Sequence, residues 1–286
     1  MRIRIFIVYL IATLLSTSSI AQQSLLWRIS GNGLNQPSYL FGAIDEICPS
    51  EYLWTKSIED CYVKSDKICL QINISDPAIV KTVTAGLVDK NGPQLESYFS
   101  KVSYLTVMRY AKDTLHIDLT KLQMVKPVGI QPYIVKQLLH CTDAVSYSKR
   151  IMEKAKTDHK EILGLDSGSE VLKEIEATHF NEFVATALTE MATGSNYYYQ
   201  YRTSLMNAYK QQDIQQVNSI FKNAKSFTPL DIKVLLHEKS ERWVSRMIPM
   251  MKISSIFFSL NVINLGGSDG VIEILKKDGY SVEPIY

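Results

Sequence analysis

Ser38-Tyr39-Leu40-Phe41-Gly42-Ala43-Ile44-Asp45 is an apolar run that ends on a carboxylate. Two later runs share its character. Glu161-Ile162-Leu163-Gly164-Leu165-Asp166 ends on another carboxylate, and Ile256-Phe257-Phe258-Ser259-Leu260-Asn261-Val262-Ile263-Asn264 ends on an amide. Short apolar runs bounded by turn residues read as buried strands. Three of them ending on small acid or amide residues predict one sheet with a polar rim at its tips. Open α/β sheets hold their ligands at such a rim.

Around these runs the pattern alternates between strand and helix. A strand over 25–29 turns back through Gly31-Asn32-Gly33 and Pro37 into 38–45, as a hairpin. Pro49-Ser50 opens a helix over 51–64 that carries Leu53, Trp54, Ile58, Cys61 and Tyr62 on one face. In a strand over 67–73, Ile68, Leu70 and Ile72 alternate with Cys69, Gln71 and Asn73. Asp76-Pro77 supplies an N-cap and first-turn pair, and the spacing predicts helices over 102–115, 132–141 and 145–155. After strand 161–166, Ser167 or Ser169 caps a second helical block over 170–252. Within it Phe180, Phe183, Val184, Ala187, Leu188 and Met191 fall on one helical face. A strand over 254–263, a helix over 270–277 and a strand over 280–285 complete the chain. No Pro/Gly/Ser-rich linker divides it. The expected fold is α/β: a single central mixed sheet of about six strands. It would be built from two pseudo-repeated halves, each with a large helical insertion.

The charges bound the partners. Arg2 and Arg4 are the only charged residues among the first 21, so the remainder carries 29 basic and 29 acidic residues. A neutral balance without a basic stripe argues against nucleic acid. Met1-Arg2-Ile3-Arg4, an apolar run over 5–15 and Ser19-Ile20-Ala21 read as a signal peptide over 1–21. Residues 22–286 then form an exported domain, periplasmic or secreted, with no membrane span. Cys48, Cys61, Cys69 and Cys141 suit disulfides in an oxidising compartment. Three pairings are possible; Cys48–Cys141 with Cys61–Cys69 is preferred. No C-x-x-C pair supports a thiolate metal site.

Colinear motifs carry a family resemblance. Leu25-Leu26-Trp27-Arg28-Ile29-Ser30-Gly31 and Pro37 through Ile44 resemble the opening of TraB/GumN proteins, which include the Tiki-type metal-dependent proteases. Cys48-Pro49, Trp54, Met124-Val125-Lys126-Pro127, Gly164-Leu165-Asp166, Glu238 through Trp243 and Leu265 through Val271 follow in order. The resemblance implies a metal site built from two G-x-x-H motifs, a strand glutamate, a G-L-E motif and an Arg-Asn pair before a tryptophan. This chain departs at each of them. Asp45 stands at the first histidine and Asn264 at the second. Gln71 replaces the glutamate, Asp166 ends the G-L-E motif, and Lys239-Ser240 replaces Arg-Asn.

Those exchanges change the chemistry. A neutral imidazole binds transition metals; a carboxylate is a harder donor and an amide oxygen carries no charge. Gln71 cannot ionise, so it cannot serve as general base. Asp166 is one methylene shorter than glutamate, which moves its oxygens by roughly 1.5 Å. Lys239 keeps a charge without the planar fork of arginine. No catalytic residue, metal or other cofactor is therefore expected at Asp45, Gln71, Asp166, Lys239 and Asn264. The resemblance then implies a degenerate hydrolase frame that binds a peptide or protein partner without cleaving it. The alternative is a peptidase-like hydrolase rebuilt on oxygen donors, with Asp45 and Asp166 holding a divalent Ca, Mg or Mn ion.

Other chemistry finds little support. His237-Glu238 does not extend to H-E-x-x-H, and none of His116, His140, His159, His179 or His237 ends a strand. Gly266-Gly267-Ser268 reads as an ordinary strand-to-helix turn rather than an anion cradle, and no serine-hydrolase elbow is expected. Tyr197, Tyr198, Tyr199, Tyr201 and Tyr209 form an aromatic patch suited to helix packing or to a groove wall.

Overall fold

The computed structural model describes residues 24–89 and 91–286; the expected signal peptide over 1–21 lies outside them. Gly31, Asn32 and Gly33 all take positive φ, 80°, 45° and 78°. That tight left-handed turn folds strand β1 (Leu26–Ser30) antiparallel onto β2 (Ser38–Ala43), with Leu26 opposite Phe41.

The other strands are β3 (Glu46–Ile47), β4 (Lys67–Ile72), β5 (Val145–Ser146), β6 (Glu161–Asp166), β7 (Ile256–Asn261) and β8 (Ser281–Ile285). Six of them form one mixed sheet in the order β6-β4-β7-β2-β1-β8, and β3 pairs with β5 in a two-stranded ribbon. β6, β4, β7 and β2 run parallel. Their C-terminal ends therefore meet along one rim, and β7 is inserted between β4 and β2. Gly164 is required where β6 passes the end of β4: a Cβ there would lie 2.7 Å from the Asn73 nitrogen.

Helix α1 (Lys56–Lys64) begins later than the expected 51, because the Thr55 side chain caps it by accepting from the Ile58 nitrogen at 3.3 Å. It covers one sheet face, where Tyr62 meets Phe257 and Phe257 stacks on Phe41. Then come α2 (Pro77–Gly86), α3 (Lys101–Tyr110), α4 (Gln131–Leu138) and α5 (Tyr147–Thr157). α5 starts two residues after the expected 145 because Val145 and Ser146 pair with β3. The second block holds α6 (Gly168–Ala177), α7 (Phe180–Ala192), α8 (Tyr197–Lys210), α9 (Ile214–Lys222), α10 (Pro229–Ile232), α11 (Lys239–Ile253) and α12 (Val271–Lys277). The apolar face of α7 is buried as its spacing predicts. Val184, Ala187 and Leu188 pack with Val107, Ile130 and Tyr198 in a helical core separate from the sheet core.

Cys48 and Cys141 form a disulfide across 93 residues of sequence. The second expected pair, Cys61–Cys69, does not form; both thiols are buried and reduced. The sheet separates them. Cys61 lies on α1, which covers the face of Phe257 and its neighbour in register, Ile68. Cys69 follows Ile68 along β4 and so points to the opposite face.

Candidate functional site

The rim is built from the ends of the parallel strands, and Asp166 is its most constrained member. Its carboxylate is 2% exposed. It accepts from Arg242 Nε at 3.1 Å and from the Trp243 indole at 2.9 Å. Lys239 Nζ lies 3.8 Å away and Arg246 Nη1 3.7 Å away. Three cations and an indole thus converge on one carboxylate.

Two glutamates share those cations. Glu174 pairs with Lys239 at 2.6 Å and with Arg242 at 3.2 Å. Glu170 pairs with Arg246 at 2.5 Å, and this contact holds its carboxyl down to about 2. The same glutamate closes a capping box with Ser167 at the start of α6. Three acids on β6 and α6 therefore face three bases on α11, a neutral set. Sequence reasoning missed Glu170, Glu174, Arg242 and Arg246 as site residues. Their signal was the matched four-residue spacing on two helices.

Gln71, the next-to-last residue of β4, lines two adjacent cavities. One, about 300 Å³, also borders Asp166 and Lys239 and is walled by Ile72, Ile79, Val83 and Val171. The other is water-sized and bordered by Asp45, Ser148, Ser259 and Asn261. There Ser148 Oγ donates to Asp45 Oδ1 at 2.6 Å, while the buried Ser259 hydroxyl has no partner. The rim thus brings Asp45 to Gln71, and Gln71 to Asp166 and Lys239. Asn264 lines neither cavity, although its carbonyl accepts from Ser240, the neighbour of Lys239, at 3.5 Å. β7 ends at Asn261, and the chain turns so that the Asn264 amide donates to the Leu235 carbonyl at 2.8 Å. The amide at the rim is Asn261.

Gly266-Gly267-Ser268-Asp269-Gly270 does carry the letters G-x-S-x-G. Its left-handed residue is Gly267 rather than the serine, at φ 84°. Ser268 Oγ donates to Asp269 at 3.0 Å, and no histidine bonds to it among the described residues. The segment is a turn. The tyrosine patch on α8 divides. Tyr198 and Tyr209 are buried, and Tyr209 donates to the Gly42 carbonyl at 3.2 Å. Tyr199 is exposed beside His140.

Among the described residues, no group of three or more His, Cys, Asp or Glu side chains is placed to hold a metal ion. No helix among them is long and apolar enough to cross a membrane. The sequence model of the TraB/PrgY/gumN family matches residues 25–284. No curated protein and no solved structure matches the chain.

Proposed function

The chain belongs to the TraB/PrgY/gumN family, and from that premise we propose an exported, non-catalytic protein that binds a peptide or partner segment at the rim. The observation that carries this reading is the state of Asp166. Both its oxygens accept strong hydrogen bonds, from Arg242 and Trp243, and two further cations lie within 4 Å. A divalent ion would have to displace those donors and break into a network whose charges already cancel. The remaining rim donors are Asp45 and neutral amide and hydroxyl groups. A lone carboxylate with such oxygens is a poor match to a Ca²⁺ or Mg²⁺ site, which takes six or more oxygens with several charges. The residues present do not fit a catalytic metal, and Gln71 cannot take a proton from water.

Binding has a place to occur. The 300 Å³ cavity reaches the lower end of ordinary ligand sites. One wall is α2, with Ile79, Val80 and Val83, yet no α2 residue is fully buried. An apolar side chain of an extended segment would complete that face, with Gln71 available to its backbone. The disulfide and the absence of a long apolar helix among the described residues are compatible with export.

Metal analysis and peptide-library digestion of purified protein test the reading. The expected result is no stoichiometric metal, no cleavage with added Ca, Mg or Mn, and thermal stabilisation by peptides with apolar side chains. Stoichiometric metal together with metal-stimulated cleavage would establish the oxygen-donor hydrolase instead.

A further inference from the structure

A third cavity, about 190 Å³, lies between the helical core and the rim. Ile134, Phe183, Val184, Tyr198 and Leu205 make it apolar, and Ile44 and Asn261 border it on the rim side. One charged side chain lines it, Arg202 of α8.

Arg202 is under-partnered. One terminal nitrogen donates to the Glu46 carbonyl. Its Nε is buried and has no hydrogen-bond partner. Among the described residues no carboxylate lies within ion-pairing distance of it. Glu46 and Glu51 are the acids that act on it, and Glu51 is paired with Lys210 at 3.1 Å. Burial pushes the guanidinium below its ordinary value, but an arginine does not give up its proton in a protein. Glu46 and Glu51 compensate the cation only from a distance, with no carboxylate in direct contact. Such a group beside an apolar cavity is arranged for an anion with an apolar body.

We propose that this cavity binds a small aryl or alkyl monocarboxylate, its carboxylate on Arg202 and its body among Phe183, Tyr198 and Leu205. Size selects the body. An apolar cavity of about 150 Å³ accepts one benzene ring, so 190 Å³ takes a ring with a short tether. The terminal N–H groups of the guanidinium not used by the Glu46 carbonyl are the donors for a carboxylate. The ligand is either a free acid or the C-terminal residue of a peptide, which presents the same groups. This inference is independent of the non-catalytic reading. Each can fail without the other, since metal content and cleavage report nothing on this cavity.

Calorimetric titration with 3-phenylpropionate and with its neutral counterpart 3-phenylpropan-1-ol tests it. The acid should bind at least about tenfold more tightly than the alcohol, the value of one charge-assisted contact. Arg202→Gln should erase that preference. Should that variant fold poorly, Val135→Phe serves instead. Val135 is a half-buried lining residue, and the larger ring should weaken both probes about tenfold while Arg202 stays in place. A phenylalanine-terminated dipeptide with a free carboxylate, binding where its amide does not, assigns the peptide source. Binding of the free acid alone assigns a small-molecule source. Equal affinity for acid and alcohol, no binding of either, or acid binding unchanged in the tested variant overturns the proposal.

Discussion

At the scale of single residues, the rim is decided by where charge is neutralised. Asp166 holds Arg242, Lys239 and Arg246 together, so removing its charge leaves three cations facing two glutamates. Asp166→Asn should therefore destabilise by about 3–5 kcal/mol, the usual consequence of breaking a buried pair from one side. A melting scan should show a fall of roughly 6–12 °C for a chain of this size. A fall under about 2 °C would mean that the network contributes nothing. Glu170 makes a pH prediction. Its folded value, about 2, lies below its ordinary 4.5, mainly because Arg246 donates to it. Its contribution is therefore complete above about pH 4.5 and is lost as pH falls toward 2. The stability gap between wild type and Glu170→Gln should be constant above that window and close within it. A gap that widens on acidification would contradict the assignment. Asp45, Gln71, Asp166 and Lys239 were expected together from the family resemblance, and they line the two rim cavities. Their partners come from elements far apart in the chain, and no local pattern announces a contact between β6 and α11. Asn264 shows the limit of motif reading: nothing in the letters announces the turn after β7 that directs its side chain to the Leu235 carbonyl.

At the scale of elements, local chemistry set most boundaries, and tertiary pairing moved the rest. Ser167 was one of two candidate caps for α6. Glu170 decides between them, since it lies three residues on and can return a bond to the Ser167 nitrogen at 2.8 Å. Ser167→Ala should cost about 1 kcal/mol, and it should also loosen the Glu170–Arg246 pair. The pH-dependent loss described for Glu170 should then be smaller and should finish at a higher pH than in wild type, read from acid unfolding curves. An unchanged acid limb would separate the cap from the ion pair. The strands were legible because their apolar runs are bounded by turn chemistry. α5 was misjudged at its start because Val145 and Ser146 are claimed by β3, a partner nearly 100 residues away. α1 was misjudged because Thr55, inside the expected helix, satisfies the first-turn N–H groups better than Pro49-Ser50 does.

At the scale of the whole molecule, one covalent link joins what the two cores leave separate. The sheet core is continuous from β1 through β8, whereas the helical core draws on α3, α4 and α7 with the first turn of α8. Cys48 follows the rim end of β2, and Cys141 follows α4. The disulfide therefore fastens the helical insertion to the strand that opens the candidate site. The loop it closes spans 93 residues, for which chain entropy predicts about 4–5 kcal/mol, with measured effects commonly 2–5. Reduction should lower unfolding stability by that amount and shift the denaturant midpoint accordingly. The other two thiols should respond differently. Burial pushes Cys61 up to about 11 and Cys69 further still, so neither supplies thiolate near neutral pH. A thiol reagent added to the native, unreduced protein should label almost nothing; added in denaturant without reductant, it should label two thiols. Four labels would mean that the Cys48–Cys141 bond is absent. None would mean that Cys61 and Cys69 are oxidised, which requires a sheet that does not stand between them.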